Sequence, residues 1–228
     1  MSLTFIHIGK NGGGTIIETL RSKTLTIEGK KCKFVFDQNH CKKLSGGNTK
    51  YTFFVRDPVT RFISGFLYVL VYYEKSKRFP TLLKYKNKFP TPNDLALALT
   101  SDDVKTKQFA YEAMNNVVHI KDNLETYLKS SENIKNHKDK ICFVGRFEHF
   151  EEDLIKLKKK VGLSHSEGSE IPHYRNMNIY DHMKHLDKKA IENIRQYYHK
   201  DYEIIQTLIN EGHLPNNYIN EITNALFK

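Results

Sequence analysis

The residues in this sequence best equipped for chemistry lie in two short stretches. The first is "FIHIGKNGGGTIIETL", residues 5–20, where Lys10 is followed by Asn11, by Gly12, Gly13 and Gly14, and then by Thr15. Backbone amides in a glycine turn, joined by the free N–H groups that open a helix, form a cradle for an anion. Glycines let the backbone approach closely, Lys10 adds a mobile positive charge, and Thr15 adds a hydroxyl donor. The second stretch is "VRDPVTRFISGF", residues 55–66. An arginine offers a phosphate two parallel hydrogen bonds and a serine a third, so Arg56 and Ser64 form a second candidate anion clamp. The lysine precedes the glycines, whereas the common nucleotide loop G-x-x-x-x-G-K-[ST] places it after them. The dinucleotide pattern G-x-G-x-x-G is also absent.

These side chains need a scaffold. "LTFIHI" (3–8), "KFVF" (33–36), "YTFFV" (51–55) and "ICFVG" (141–145) read as strands, each followed by loop or helix signals. Strands alternating with helices predict an α/β fold, a central mainly parallel sheet with helices on both faces in three layers. Arg56 then falls at the carboxyl end of a strand, where ligands bind in open α/β sheets. Thr15 and Glu18 predict a capping box at the start of the first helix, and Pro58 predicts the start of a long apolar one. Residues 75–92 read as a lysine-rich loop excursion, and 135–140 as a solvated turn. "NDLALAL", "TKQFAYEAMNNVVHIKDNLETYLKS" and "DKKAIENIRQYYHKDYEIIQTLINEG" read as helices, the last a single closing helix that stops at Gly212. In "FEHFEEDLIKLKKKV", Phe147, Phe150, Leu154, Leu157 and Val161 make one apolar helix face. One domain over residues 1–228 is expected, with 70–140 a mostly helical insertion that shapes the acceptor site.

Composition sets the outer bounds. The chain has 228 residues, 36 Lys and Arg against 26 Asp and Glu, and a formal net charge of +10, a balance that favours anionic ligands unless the charge is only solvated surface. Its three cysteines, Cys32, Cys41 and Cys142, show no metal-binding spacing, which points to a reducing compartment. The longest apolar run, "FISGFLYVLVYY" (62–73), is too short to span a bilayer. A cytoplasmic location is expected. No helix-turn-helix, zinc or aromatic RNA motif is present, so no nucleic-acid partner is expected.

"FIHIGKNGGGT" resembles the loop "FIHIPKTGGTS" of sulfotransferases that use 3′-phosphoadenosine 5′-phosphosulfate (PAPS), and "VRDPVTRFISGF" resembles their element "RDPxxRxxSxY". The nearest likeness is to carbohydrate sulfotransferases, both those acting on glycosaminoglycans and their soluble bacterial relatives. "ICFVGRFEHFEEDLIKL" is similar to the family's late strand–helix unit, and "IPHYRNMN" with "IRQYYHKDYEII" to its C-terminal pattern. The resemblance implies sulfuryl transfer from PAPS to a hydroxyl acceptor of the carbohydrate class, leaving PAP as the product. It assigns the 5′-phosphosulfate to Lys10 with Asn11, Gly12, Gly13, Gly14 and Thr15, and the 3′-phosphate to Arg56 and Ser64. Gly9 stands where proline is usual, and Asn11 and Gly14 stand where threonines are usual; the Gly14 change removes one hydroxyl donor.

The chemistry so implied places a lysine and amides on the leaving oxygen, with no metal required. An alcohol acceptor benefits from a general base. His40 lies between a strand and Arg56, in a segment where family members often carry a histidine that serves as base in the glycosaminoglycan enzymes; it is the expected base, its competing reading a loop or helix-cap histidine. Glu148 is the carboxylate alternative, its competing reading a helix-start residue favoured by the macrodipole. His7 is expected to pack or orient. His173 and Arg175 lie in a segment resembling the one that closes over the nucleotide, and Arg175 is assigned to the cofactor site. Asp201 and Tyr202 are read as structural. Tyr72 and Tyr73 are candidates to line an acceptor cleft. Two other readings stand beside the sulfotransferase: a nucleotide or small-molecule kinase with an atypical phosphate loop, and a non-catalytic basic polyanion binder.

Overall fold

The structure, a computed structural model, describes residues 1–37, 44, 47–72, 80–163 and 182–225. Five strands make its sheet among these residues: β1 (Ser2–Ile6), β2 (Leu25–Ile27), β3 (Lys30–Asp37), β4 (Thr49–Val55) and β5 (Ile141–Arg146). The spatial order is β2-β3-β1-β4-β5. β1 runs parallel to both β3 and β4, and β4 runs parallel to β5. Only β2 is antiparallel, paired to β3 through a two-residue turn at Glu28 and Gly29. Both turn residues have left-handed φ, 52° and 74°, the conformation that lets so short a hairpin follow the strand twist. This strand is absent from the sequence expectation, because three residues carry no readable period.

The helices are α1 (Gly13–Leu20), α2 (Pro58–Phe66), α3 (Leu83–Lys88), α4 (Pro92–Ala98), α5 (Val104–Asn116), α6 (Leu124–Leu128), α7 (Ser131–Asn136), α8 (Phe150–Lys160), α9 (Lys188–Tyr197), α10 (His199–Asn210) and α11 (Tyr218–Ala225). Side chains alternate across each strand, so each face of the sheet collects its own core. Leu3 and Phe5 of β1 and Phe54 of β4 pack against Ile16 and Leu20 of α1 and Leu154 and Leu157 of α8. Ile6, Phe53 and Val55 face the other way, onto Leu124 and Leu128 of α6, Ile134 of α7 and Ile204 and Leu208 of α10. The three-layer α/β expectation therefore holds. A third apolar cluster joins α2, α4, α5 and α9 beyond the sheet.

Several boundaries differ from the sequence expectation. The first helix begins at Gly13, with Gly12 at the N-cap in a left-handed conformation and no side-chain cap; Thr15 lies inside the helix. A glycine with φ 76° turns the chain directly into the helix, so no capping box forms. The stretch read as one helix over "TKQFAYEAMNNVVHIKDNLETYLKS" is α5 and α6 with a loop between them. The closing helix is two, broken at Tyr198, whose hydroxyl donates to the Ile120 carbonyl at 2.6 Å. The 135–140 stretch is the end of α7 followed by a 3-10 turn. Phe147 sits in a 3-10 turn ahead of α8 rather than on its apolar face.

α2 starts as expected at Pro58, with the Asp57 carboxylate accepting from the Thr60 amide at 3.0 Å as its cap. It then widens into a π-helical turn over Leu67–Tyr72, a local unwinding frequent at functional sites. Among the described residues, no helix is long and apolar enough to cross a membrane.

Candidate functional site

The chain leaves β1, crosses to β3 on one side, and returns to β4 on the other. That reversal opens a crevice at the carboxyl ends of β1 and β4, where open α/β sheets bind ligands. The glycine loop leaves β1 there, and Arg56 leaves β4 there. Between them lies a cleft of ≈ 390 Å³. Lys10, Gly12, Gly13, Gly14 and Thr15 border it from one side, and Arg56 and Ser64 from the other. His7, Gly9, Tyr68, His119 and Phe147 complete its lining, and no described carboxylate does so. A wider, more open depression over α9 and α10 lies apart from both loops.

The loop is held from beneath. The Asn11 amide nitrogen donates to the Phe54 carbonyl at 2.7 Å, tying the loop to the end of β4. Asn11 is 1 % exposed and does not border the cleft. Its side chain is thus a tether rather than the ligand-facing group the sequence suggested. The Gly9 amide donates to the Tyr127 hydroxyl at 3.2 Å. Lys10 itself has a left-handed φ of 69°, unusual for a side chain of that size, and its Nζ lies 3.7 Å from the centre of the Tyr68 ring.

Within the Gly12–Gly14 run, two glycines are required by packing. A Cβ on Gly12 would strike the Phe150 ring, and one on Gly13 would strike His7. Gly14 has open space around it and ordinary φ. The first turn of α1 carries no side-chain cap, and a helix start that faces a cleft is a place where anions bind.

Arg56 serves two tasks. Its Nη1 donates to the Lys10 carbonyl at 3.1 Å and its Nε to the Thr60 hydroxyl at 3.0 Å, while its guanidinium lies 4.1 Å from the centre of the Phe147 ring. It thereby links the glycine loop to the start of α2 directly. Burial pushes its pKa down to about 10, with Glu148 and Asp57 opposing, so it stays protonated at neutral pH. Asp57 is not its ion-pair partner: that carboxylate caps α2 and accepts from the Tyr202 hydroxyl at 2.8 Å. Burial lifts the Asp57 carboxyl to about 6, against the hydrogen bonds from Thr60 and Tyr202.

Glu148 is committed elsewhere. It accepts from the Asp57 amide at 2.9 Å and from the Tyr218 hydroxyl at 2.7 Å, and it does not line the cleft. That corrects its reading as an alternative base: it buttresses the turn between β4 and α2. Asp201 and Tyr202 are structural, as expected, through Arg61 and Asp57. His40, His173, Arg175 and Tyr73, and the side chain of Tyr72, lie outside the described residues.

The sequence reading missed His119 and Tyr68. His119 was read as part of a continuous helix, but α5 stops at Asn116 and His119 has a left-handed φ of 68°. The buried Arg61 guanidinium donates to the carbonyls of His119 at 3.3 Å and Asp122 at 2.6 Å. Its second terminal nitrogen, Nη2, pairs with Asp201 at 3.2 Å. The β-branched pair Val117 and Val118, flanked by Asn116 and Asp122, was the local hint of a break.

Burial, then the charge of Lys10, hold the His119 pKa down at about 4 against the usual 6.5. A depressed histidine contributes stability that is present above the unfolded pKa and is lost as pH falls through the folded one. The window here runs from 6.5 down to about 4. The raised Asp57 works in the opposite sense, so the two are separated by difference. The stability of the wild type minus that of His119→Gln, from urea unfolding, should fall by roughly 2 kcal/mol between neutral pH and about pH 4.5. A constant difference refutes the buried, neutral histidine.

A glycine turn, a lysine and an arginine thus border one cleft at the carboxyl ends of neighbouring parallel strands of an α/β fold. The sequence model described as "Sulfotransferase family" matches residues 17–205. The chain belongs to the sulfotransferase family, whose common activity is sulfuryl transfer. The match begins just after the glycine loop, so the loop's assignment rests on its own geometry and motif. No curated protein and no solved structure matches the chain.

Proposed function

We propose that the chain transfers a sulfuryl group from PAPS to a hydroxyl of a carbohydrate acceptor. One observation carries the donor assignment: the Lys10 loop and the Arg56–Ser64 element border a single cleft without a described carboxylate. A nucleotide with anionic groups at both its 5′ and 3′ ends suits two separate cationic clamps on one crevice. The packed glycines give the loop a bare backbone facing that crevice. The donor supplies a sulfuryl group whose transfer leaves negative charge on a phosphate oxygen. Lys10, the amides at the start of α1 and the Thr15 hydroxyl lie where they stabilise that charge. Arg56 and Ser64 hold the 3′-phosphate, and Arg56 also fixes the Lys10 backbone. The net charge of +10 favours an acidic glycan as acceptor.

Isothermal calorimetry with PAP, and separately with ATP and magnesium, tests the donor. PAP should bind at least about tenfold more tightly. Preference for ATP with magnesium would instead support the kinase reading, and salt-sensitive binding to heparin without PAP binding would support the polyanion binder. A screen of glycan acceptors with radiolabelled PAPS then tests the acceptor class.

The open space at Gly14 supports a gain-of-affinity test. A Cβ at Gly14 meets nothing within 4 Å and the φ is not positive, so Gly14→Thr has room to restore a hydroxyl beside the loop amides. It should tighten PAP by roughly threefold to tenfold, the worth of about one hydrogen bond. Gly13→Ala, driven into His7, should weaken it. Equal affinities in both variants would show that the anion does not sit on this turn.

A further inference from the structure

We propose that His119 is the group that takes the proton from the incoming acceptor hydroxyl, an assignment that rests on the sulfuryl-transfer reading above. The argument begins with position. His119 borders the same cleft as Lys10, and the Tyr68 ring lies between them, edge-on to His119 at 5.4 Å and under the Lys10 ammonium at 3.7 Å. A base that shares the Lys10 side of the cleft, rather than the arginine side, stands near the reacting sulfuryl group and not near the 3′ end of the donor.

The second argument is rigidity. His119 is held in a left-handed conformation that costs free energy unless the surroundings enforce it. They do: fully buried Arg61 grips the carbonyls of His119 and Asp122, and the His119 amide reaches the Asp122 carboxylate at 3.4 Å. Glycines flank it on both sides. A Cβ on Gly9 would lie 2.6 Å from His119 Nδ1, and one on Gly65 would lie 3.2 Å from its carbonyl oxygen. Nδ1 is buried and has no partner among the described residues, so proton exchange with a ligand falls to Nε2. The other groups bordering or near the cleft are less suited. Glu148 is spent on Asp57 and Tyr218, and His7 is stacked on Phe5 and wedged against Gly13.

The charges around His119 couple it to the donor. Burial first, and then Lys10, His7 and Arg61, disfavour its protonation, and Asp122 favours it. The imidazole is therefore neutral in the chain without a ligand. An anion bound at Lys10 offsets the nearest repulsion and makes the ring a stronger proton acceptor when the donor is in place. In the step, the acceptor O–H proton passes to His119 as the acceptor oxygen bonds to sulfur. The bond from sulfur to the bridging oxygen breaks, its electron pair stays on the PAP phosphate beside Lys10, and the imidazolium later returns its proton to water.

The test uses the full chain. Histidine Cε1–H signals are followed by NMR against pH, with the His119 signal assigned from His119→Gln. Turnover of radiolabelled PAPS to inorganic sulfate, with water as acceptor, is measured alongside PAP affinity. The His119 signal should titrate near 4 in the free chain and move up by about one unit or more with saturating PAP and in Lys10→Ala. His119→Gln should lose roughly 100-fold in turnover with PAP affinity held within about threefold, and added imidazole should restore part of the loss in His119→Ala. Near-normal turnover in His119→Gln overturns the assignment, as does a loss that tracks weakened PAP binding or a full loss in His40→Gln instead. A wild type that neither binds PAP nor consumes PAPS overturns the donor reading itself, and the base assignment with it.

Discussion

Lys10→Ala and Arg56→Ala should each weaken PAP binding by about tenfold to 100-fold, the worth of one charge-assisted hydrogen bond to an anion. Arg56→Ala should have the larger effect. Its guanidinium borders the cleft, and it also donates to the Lys10 carbonyl and to Thr60. Its loss therefore removes one clamp and slackens the backbone of the other. Arg56→Lys separates these roles: it keeps a charge near the 3′ end but cannot form the fork that reaches the Lys10 carbonyl and the ligand together. It should recover only part of the affinity. Ser64→Ala, which removes a neutral donor, should cost less than either. Titration calorimetry at two salt concentrations provides the check. Unchanged affinity in both alanine variants would remove the nucleotide from this cleft.

The second large effect is on stability. Arg61 and Asp201 form a buried ion pair at 3.2 Å, with side chains 1 % and 0 % exposed. Asp201 also accepts from the Leu124 amide at 2.8 Å, and Arg61 also holds two carbonyls of the 119–122 loop. Removing one partner leaves the other charge buried and unmatched, which costs about 3–5 kcal/mol. Asp201→Ala and Arg61→Ala should both show losses of that size in urea unfolding. Arg61→Met combined with Asp201→Leu should be less destabilised than the sum of the single changes, because no lone charge remains. It should still leave the His119 loop unclamped, read as faster amide hydrogen exchange over residues 117–124. Single-variant losses below about 1 kcal/mol would mean the pair is not the clamp described here.

Much of this was legible in the sequence. β1, β4 and β5 are apolar runs that announce buried strands, and the glycine loop and Arg56–Ser64 stand directly after two of them. Strand–turn–helix order alone then places both at the carboxyl edge of a parallel sheet. The start of α1 depended on a backbone conformation that composition does not encode. Gly12 was visible as a glycine, but its left-handed turn, which moves the helix start ahead of Thr15, was not. The break at Tyr198 is likewise tertiary, since its hydroxyl answers a carbonyl far away in the chain, at Ile120.

The sequence by itself determined the fold class, the family and the places of the glycine loop and the Arg56–Ser64 stretch after two strands, because each rests on local order: an apolar period, a turn, a charged residue at a fixed step. The tertiary structure alone decided which side chains meet. Asn11 turned inward to Phe54, Glu148 was drawn to Asp57 and Tyr218, and His119 was swung into the cleft by an arginine whose charge is balanced from α10. Such contacts join residues distant in sequence, and their energies come from burial and pairing that no local pattern records.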